Sequence, residues 1–297
     1  MPRVLSTDVE AMQDDDFQAH SRLDTSHWWF VARLEIVRML LHQVLPPSRD
    51  LKIVDIGCGT GGAVAGLAGD YAVSGIDPSA TAIGFARARF PELDLRCGEP
   101  CEILLGSKER VNAVLIMDVL EHVKNDAALL ACAVEALAPG GYVVLTVPAD
   151  MRLWSSHDER FGHFRRYDMR TLQSLWEALP IRLRMLSYFN TRLYPAIRTF
   201  RAAKRLLGIS GEASDLAATG PWLNRVLLSV FRGESQRLVR ALENPAAAYR
   251  FGVSLIAVLE KAGNGSVGQR ASDAVAVADR EQVEKGPDHR ARRELGT

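Results

Sequence analysis

Residues 53–62 constrain the fold of this chain more than any other part of its sequence. They read IVDIGCGTGG, in which branched apolar residues suited to a buried parallel strand are followed by Gly57, Gly59 and Gly61. Glycine tolerates the left-handed backbone of a tight exit from a strand, and a helix that begins there offers free N–H groups to a ligand. The segment therefore predicts a strand–turn–helix unit that binds a nucleotide-like cofactor.

Asp55 indicates which cofactor this turn binds. Gly57, Gly59 and Gly62 also fit the G-x-G-x-x-G spacing of dinucleotide-binding folds, so the glycines alone do not distinguish the two classes. A carboxylate just before the glycines would repel a pyrophosphate but attract the ammonium and sulfonium groups of S-adenosylmethionine. Asp77 ends a second apolar run about twenty residues later, where either nucleoside would present its ribose.

Two later segments extend the pattern. Residues 111–123 read VNAVLIMDVLEHV, and residues 138–141 read APGG before another apolar run at 142–147. Together with the glycine turn and the strand-end acid, this order resembles the class I S-adenosylmethionine-dependent methyltransferases over residues 51–148. The resemblance implies an α/β fold: a Rossmann-like, seven-stranded, mostly parallel sheet with an antiparallel final strand and a helical insertion before it.

The same resemblance assigns residues to S-adenosylmethionine as the cofactor. Asp55 is expected to hold the methionine end, and Glu99 takes the place of the family's adenine-binding aspartate. Because Pro100 has no N–H to donate, Cys101 is expected to make the backbone contact to adenine. The full set of expected cofactor contacts is Asp55, Gly57, Cys58, Gly59, Ile76, Asp77, Pro78, Glu99, Cys101, Met117, Asp118 and His122.

In residues 27–44 the apolar side chains recur at helical spacing, so this segment is expected to form a helix that covers the cofactor domain. Two adjacent indoles are not expected to enter one core from a single turn, so one of Trp28 and Trp29 should face a pocket. The alternative is that both pack against the sheet edge. The H-W-W-F-x-A-R pattern resembles the N-terminal segment of one bacterial branch of these methyltransferases, which implies a lid that brings Trp28, Trp29 and Arg33 to the substrate.

The second polar cluster is residues 154–167, WSSHDERFGHFRRY. It follows the fifth strand, and loops at the carboxyl ends of parallel strands form the ligand crevice of such sheets. The same bacterial branch has a similar H-D-x-x-x-G-H-x-R-R-Y run. His157 or His163 is expected to act as a base, with Asp158 orienting an imidazole. Contacts to the acceptor are expected from Trp154, Arg165, Arg166 and Tyr167.

A simpler interpretation of this loop stays open. Asp158, Arg165 and Arg166 would also suit a surface lattice of ion pairs that caps the next helix. A metal site is not expected, because the spacing of His157, Asp158 and His163 matches no recognised ligand pattern and methyl displacement requires no metal.

Composition excludes some classes of partner. Lys plus Arg and Asp plus Glu both number 36, so the chain is formally neutral and does not predict binding dominated by nucleic-acid phosphates. The cysteines Cys58, Cys97, Cys101 and Cys132 show neither paired nor metal-ligand spacing, which predicts free thiols in a reducing cytoplasm. The chain is expected to be a cytoplasmic monomer or homodimer.

The organisation along the chain predicts one elaborated domain. Its expected parts are a helical lid at 1–50, a cofactor-binding core at 51–189, a helical insertion or substrate cap at 190–249, the final strand at 250–262 and a disordered tail at 263–297. In the insertion, residues 191–207 and 222–242 predict two amphipathic helices. The first is basic, so peripheral contact with an anionic membrane is an alternative to simple capping.

These patterns predict a methyltransferase that acts on an oxygen, or a nitrogen, of a small-molecule or lipid-linked metabolite. Two alternatives remain at this level. One is a partner subunit that binds S-adenosylmethionine without catalysis; the other is an NAD(P)-dependent oxidoreductase, which Asp55 and the 138–141 turn disfavour.

Overall fold

Seven strands form one sheet in the computed structural model, which describes residues 14–107, 109–207 and 219–263. The spatial order is β3-β2-β1-β4-β5-β7-β6, and β7 runs antiparallel to both of its neighbours. This arrangement confirms the predicted fold class. The strands are β1 Ser48–Ile56, β2 Tyr71–Asp77, β3 Asp94–Cys97, β4 Val111–Met117, β5 Leu137–Pro148, β6 Ile181–Phe189 and β7 Ser254–Lys261.

Helices cover both faces of the sheet. They are α1 Asp14–Leu23, α2 Trp28–Val44, α3 Gly62–Leu67, α4 Ala80–Arg89, α5 Pro100–Gly106, α6 Asp126–Ala136, α7 Ser156–Arg160, α8 Met169–Gln173, α9 Tyr194–Leu206, α10 Pro221–Arg232 and α11 Ser235–Glu243. The central strand β4 is apolar on both sides because its side chains alternate between two cores. Val114 and Ile116 pack with α6 on one face, whereas Ala113 and Leu115 pack with α2 on the other.

The insertion between β6 and β7 differs in detail from the sequence prediction. Residues 222–242 do not form one helix, because α10 ends at Arg232 and α11 begins at Ser235. At the break, the guanidinium of Arg192 donates to the carbonyl of Gly233 at 2.8 Å, and the backbone N–H of Arg192 donates to Glu234 Oε1 at 2.7 Å. These long-range contacts favour the break, and periodicity along the helix does not reveal them. The final strand also begins at Ser254 rather than at residue 250.

The cysteine prediction was wrong for one pair. Cys101 on α5 and Cys132 on α6 form a disulfide, with their Cα atoms 5.7 Å apart, while Cys58 and Cys97 are free. Helix packing brings together two cysteines 31 residues apart, which spacing alone did not indicate. Cysteine usage therefore no longer supports a reducing compartment. The predicted tail at 263–297 lies outside the described residues, except for Gly263.

Two sets of polar contacts hold the N-terminal helices in place. Asp24, which follows α1, accepts two hydrogen bonds from the guanidinium of Arg89, at 2.7 and 2.8 Å, and one from Thr60 Oγ1 at 2.6 Å. Asn224 on α10 accepts from the backbone N–H of Trp28 at 2.8 Å and donates to the carbonyl of Ser26 at 3.0 Å. The first set ties α1 to the glycine turn, and the second ties α2 to the insertion.

Asp158 organises the polar loop that follows β5. Its carboxylate is fully buried and accepts from Arg166 Nε at 2.7 Å, from Arg166 Nη2 at 3.0 Å and from the backbone N–H of Ser155 at 2.9 Å. Arg166 also donates to the carbonyl of Ala149 at 3.1 Å. A bidentate guanidinium–carboxylate pair fixes direction as well as distance, so the loop is anchored to the end of β5.

Replacing Asp158 by asparagine leaves the buried Arg166 guanidinium without a compensating charge. We expect the free energy of unfolding at pH 7 to fall by about 3 kcal/mol in urea denaturation. The matched control is Asp94→Asn, which breaks an exposed pair with Arg96 and should cost about 1 kcal/mol or less. Equal losses in the two variants would contradict a buried, stabilising pair.

The same pair predicts how stability changes in acid. Although burial raises the pKa of Asp158, hydrogen bonds from His163 and Arg166 outweigh it and hold that pKa below its ordinary value. A depressed native pKa gives stabilisation that is complete above the unfolded pKa of about 3.9 and is lost as the pH falls below it. The stability difference between wild type and Asp158→Asn should therefore shrink when urea denaturation is repeated below about pH 4.

Candidate active site

A cavity of about 1100 Å³ lies at the carboxyl ends of β1, β2 and β4. Open α/β sheets bind ligands at this edge, since the loops that follow the strands converge there. The remaining walls come from α1 and α2, from the loop after β5, and from α9 and α10 of the insertion. One cavity thus collects both polar segments that the sequence singled out.

The glycine turn forms the floor of this cavity. Gly57, Gly59 and Gly61 all have positive φ angles, of 69°, 53° and 85°, which L side chains rarely adopt. A Cβ on Gly57 would also lie 2.5 Å from Val119 Cγ2. The backbone N–H of Gly57 donates to the carbonyl of Ile76 at 2.8 Å, which joins the turn to β2. Bare backbone is therefore presented to the cavity by steric necessity.

Two carboxylates flank the glycine turn, and they differ in their hydrogen bonds. Asp55 is 2% exposed, lines the cavity, and its Oδ1 has no hydrogen-bond partner among the described residues. Burial raises the pKa of Asp55 to about 7; Arg33 opposes this rise and Asp77 adds to it. Asp77 accepts from the N–H groups of Gly59 and Ser79, both at 2.9 Å. Asp55 is consequently the acid with an oxygen available to a cationic ligand.

Most of the other expected cofactor contacts line the same cavity, but two do not. Those that line it are Gly57, Cys58, Gly59, Pro78, Glu99, Met117, Asp118 and His122. Ile76 belongs instead to the hydrophobic core, and the sulfur of Cys101 is bonded to Cys132. The side chains of these two residues therefore stabilise the fold behind the cavity.

Trp28 and Trp29 both line the cavity, which corrects the expectation that only one would face a pocket. Phe231 on α10 lies against both indoles: its ring centroid is 6.0 Å from that of Trp28 in an edge arrangement and 5.2 Å from that of Trp29 in a stacked one. Phe189 also stacks on Trp29, with its centroid 5.9 Å from that of Trp29 and 5.6 Å from that of Phe231. The insertion supplies the aromatic partner, so both indoles are packed and both contribute to the wall.

Arg33 also lines the cavity, paired with Asp118. Asp118 has a φ of 56° and accepts from Thr146 Oγ1 at 3.0 Å, which fixes its carboxylate. The Nε of Arg33 has no hydrogen-bond partner among the described residues. The pair therefore carries little net charge, while Arg33 keeps hydrogen-bonding capacity.

Three histidines meet at the far side of the cavity. The ring centroid of His163 lies 4.6 Å from that of His122 and 6.1 Å from that of His157. His163 Nδ1 donates to Asp158 Oδ1 at 3.0 Å, because a carboxylate can only accept, and its Nε2 is then the acceptor nitrogen. Burial, reinforced by the neighbouring His163, lowers the pKa of His122 to about 4, so this imidazole is neutral at pH 7.

Only one of the four substrate contacts predicted in this loop lines the cavity. Arg166 lines the cavity while paired with Asp158, but Trp154, Arg165 and Tyr167 are not among the lining residues. Arg165 Nη1 and Tyr167 Oη both donate to Asp126, at 2.6 and 2.7 Å. Trp154 Nε1 donates to Glu159 at 3.3 Å. These contacts hold the loop against α6 and α7; of the three residues, only Arg165 belongs to the ion-pair alternative drawn from the sequence.

Sequence reasoning missed several cavity residues. Asn190 directly follows β6, is 1% exposed, and its Oδ1 has no partner among the described residues. His20 on α1 lies 3.2 Å from Thr60 Oγ1, and burial lowers its pKa to about 4. The sequence singles out Glu121 only as part of the 111–123 segment, yet it lies beside two histidines in the cavity. A polar residue at a strand end was a usable signal for Asn190, whereas nothing local indicated His20.

Comparisons with known proteins agree with this architecture. A ubiquinone biosynthesis O-methyltransferase of Methylobacterium nodulans is 38% identical over 112 residues, which cover 36% of this chain and 45% of that protein. The chain thus matches less than half the length of that curated relative.

Solved structures share the fold at low identity. Phosphoethanolamine N-methyltransferase 2 of Haemonchus contortus, solved with S-adenosyl-L-methionine, has a TM-score of 0.51 and 15% identity, covering 85% of this chain and 58% of its own. The [4+2]-cyclase SpnF has a TM-score of 0.51 and 14% identity, covering 87% and 99%. Likeness at this level shows the fold alone.

A family model is more specific than these likenesses. The model described as a methyltransferase domain matches residues 30–179, just over half of the 297-residue chain. The match spans the glycine turn, both carboxylates and the histidine loop. The chain therefore belongs to the methyltransferase-domain family.

Proposed function

We propose that this protein is an S-adenosylmethionine-dependent methyltransferase that acts on an oxygen of an apolar small-molecule or lipid-linked acceptor. The observation that carries the proposal is the buried, unpartnered Oδ1 of Asp55, which lies in one cavity with Asp77 and three histidines. A cationic cofactor would supply the positively charged partner that this carboxylate lacks. The cofactor, when bound, supplies an electrophilic methyl group.

The described residues fit the cofactor at each end. Asp55 would accept a charge-assisted hydrogen bond from the ammonium of the methionine moiety. Asp77 would take the ribose hydroxyls while it keeps its bonds to Gly59 and Ser79. The glycine turn allows close approach between them, because no side chain intervenes.

Oxygen is preferred as the acceptor atom because a hydroxyl must lose a proton when it is methylated. Three imidazoles lie on the acceptor side of the cavity, and Asp158 holds one of them in a single tautomer. His157 and His163 are the candidate bases, as the sequence predicted. The name of the Methylobacterium nodulans relative, an O-methyltransferase, also supports oxygen.

The wall that the insertion contributes suggests an apolar acceptor. It consists largely of aliphatic and aromatic side chains from α9, from the residue before it and from α10, namely Leu193, Ala196, Ile197, Phe200, Leu223 and Leu227. Arg201 and Lys204 of α9 also line the cavity. An acceptor with an apolar body and one hydroxylated end matches a cavity that has this apolar wall and a cluster of histidines.

The raised pKa of Asp55 makes cofactor binding depend on pH. Ionised Asp55 attracts the ammonium and protonated Asp55 does not, so affinity should rise as the pH passes upward through about 7. The cofactor's own α-amino group loses its proton at about 7.7–8.0, so titrations should run between about pH 5.5 and 7.5. We expect isothermal titration to show about tenfold tighter binding of S-adenosylmethionine at the upper limit, and Asp55→Asn to remove this rise.

Asp70→Asn is the matched control, since Asp70 pairs with Arg38 outside the cavity. It should keep both the affinity and the pH dependence of wild type. Asp77→Ala should weaken binding at every pH. Tight binding of NADH instead of S-adenosylmethionine would contradict the proposal and revive the oxidoreductase alternative.

The base assignment predicts a loss of turnover without a loss of cofactor. With phenolic acceptors and a labelled methyl donor, the double variant His157→Ala/His163→Ala should lower kcat by about 10² to 10⁴. Titration should show S-adenosylmethionine affinity within a few-fold of wild type. His42→Ala, outside the cavity, is the control for loss of an imidazole.

Unchanged turnover and an unchanged pH profile in the double variant would remove the base assignment. Cofactor binding without turnover by wild type across a broad panel of oxygen and nitrogen acceptors would instead favour the non-catalytic partner subunit.

A lipid-linked acceptor requires access to a membrane surface. Within the described parts of the chain no helix has the length and apolar character needed to cross a bilayer. Phe200 on α9, which lines the cavity, is nevertheless 63% exposed, Trp222 on α10 is 75% exposed, and the last turn of α9 is basic. We expect flotation with anionic but not zwitterionic vesicles, weakened in Phe200→Ser/Trp222→Ser. An absence of flotation would leave a freely diffusing acceptor.

A further inference from the structure

Glu121, His122 and His163 form a cluster, of which methyl transfer as described above uses only His163. One donor atom from each of the three side chains lies within 4.8 Å of the other two. Two imidazoles and one carboxylate are the donor set of facial sites that bind divalent transition metals and leave positions open for a substrate. Small side-chain rotations would bring all three atoms to bonding distance of one ion.

Glu121 supplies an independent observation. It is 1% exposed, lines the cavity, and its Oε2 has no hydrogen-bond partner among the described residues. A buried carboxylate oxygen without a partner is costly unless a cation or a proton compensates it. One carboxylate oxygen of Glu121 lies within 4.8 Å of a nitrogen of each of the two imidazoles, which are themselves metal-binding groups.

The cations already present nearby are engaged elsewhere. Arg33 pairs with Asp118, and Arg166 forms a bidentate pair with Asp158. Each guanidinium thus makes its close contacts with another carboxylate and acts on Glu121 only through longer-range charge attraction.

The surroundings of His163 match those of a metal ligand. Its Nδ1 donates to Asp158, which leaves Nε2 as the lone-pair nitrogen for an ion. Ligating histidines in metalloproteins almost always donate their other N–H to a carboxylate, a carbonyl or water, which fixes the ring and raises its basicity. Arg166 in turn holds Asp158, so the orientation of His163 is fixed through two successive interactions.

We propose that Glu121, His122 and His163 bind one divalent transition-metal cation, such as Zn²⁺ or Mn²⁺, at the acceptor end of the cavity. The inference deepens the proposed function and rests on it for its chemical role. Open positions on the cation would bind the acceptor hydroxyl and lower its pKa. The spacing of 41 residues between His122 and His163 explains why no sequence pattern indicates the site.

The cation changes which group accepts the proton. The acceptor O–H bond breaks and its proton passes to His157, because His163 is then a metal ligand. A lone pair of the acceptor oxygen forms the new O–CH₃ bond as the S–CH₃ bond breaks. The electron pair of the broken bond stays on sulfur, which becomes a neutral thioether. The cation is neither oxidised nor reduced, and no further reactant is required.

Direct binding tests the site apart from catalysis. Untagged protein, freed of metal by chelation, is titrated calorimetrically with ZnCl₂ and with MnCl₂ in the absence of acceptor. We expect one site per chain, and Glu121→Gln and His163→Ala should each weaken binding by about 100-fold. Asp158→Asn, which removes the carboxylate that orients His163, should weaken binding by about 10-fold or more.

Controls separate this site from surface binding and from misfolding. Glu109→Gln and His42→Ala, both away from the cavity, should bind as wild type does. Glu121→Gln keeps the shape of the side chain, so it should remain folded by circular dichroism. Substitution with Co²⁺ adds a spectroscopic readout, because visible absorption from the bound ion should disappear in His122→Ala.

The outcomes also distinguish the two proposals. No binding by wild type, or equal affinity in wild type and Glu121→Gln, would overturn the metal site. Binding of S-adenosylmethionine by the chelated protein is measured alongside, and its presence or absence decides the cofactor proposal independently. Metal binding that is lost in His42→Ala would identify a surface site and overturn the inference.

Discussion

The histidine side of the cavity depends on the hydrogen bonds that the buried carboxylate of Asp158 accepts. This carboxylate fixes Arg166 through two hydrogen bonds, orients His163, and begins α7 by accepting from Ser155. Charge is tolerated in the interior only when it is paired and directed, so each partner is held in one geometry. The loop after β5 thereby becomes a rigid platform for the histidines, although it has little regular secondary structure.

The cavity is organised by carboxylates that differ in how far they are satisfied. Asp77, Asp118 and Asp158 already accept hydrogen bonds from the protein and hold its own elements together. Asp55 and Glu121 each retain a buried oxygen without a partner among the described residues. The two unsatisfied oxygens lie in the same cavity as the glycine turn and the histidines. The carboxylates of the cavity thus differ in their remaining hydrogen-bonding capacity rather than in residue type.

Sequence pattern placed the part of the cavity around the glycine turn better than the part around the histidines. Asp55 and the glycines sit at a strand end, and Asp77 ends the next strand, so local pattern and topology together place them. The other walls of the cavity are assembled across the chain: Phe231 packs on both tryptophans, and Asp126 captures Arg165 and Tyr167. Periodicity within one segment does not predict such contacts, because the two partners lie far apart in the sequence.

By itself the sequence determined the doubly covered parallel sheet, since runs of branched apolar residues that end in acids and glycines leave few other ways to bury them. It also determined that a cationic nucleoside suits the turn, through the position of Asp55. Only the tertiary structure decided that Cys101 meets Cys132, that α10 and α11 are separate, and that Glu121 joins His122 and His163. The physical reason is that helix packing and buried charge pairing act between distant segments, whereas sequence patterns report only the local balance of burial and backbone freedom.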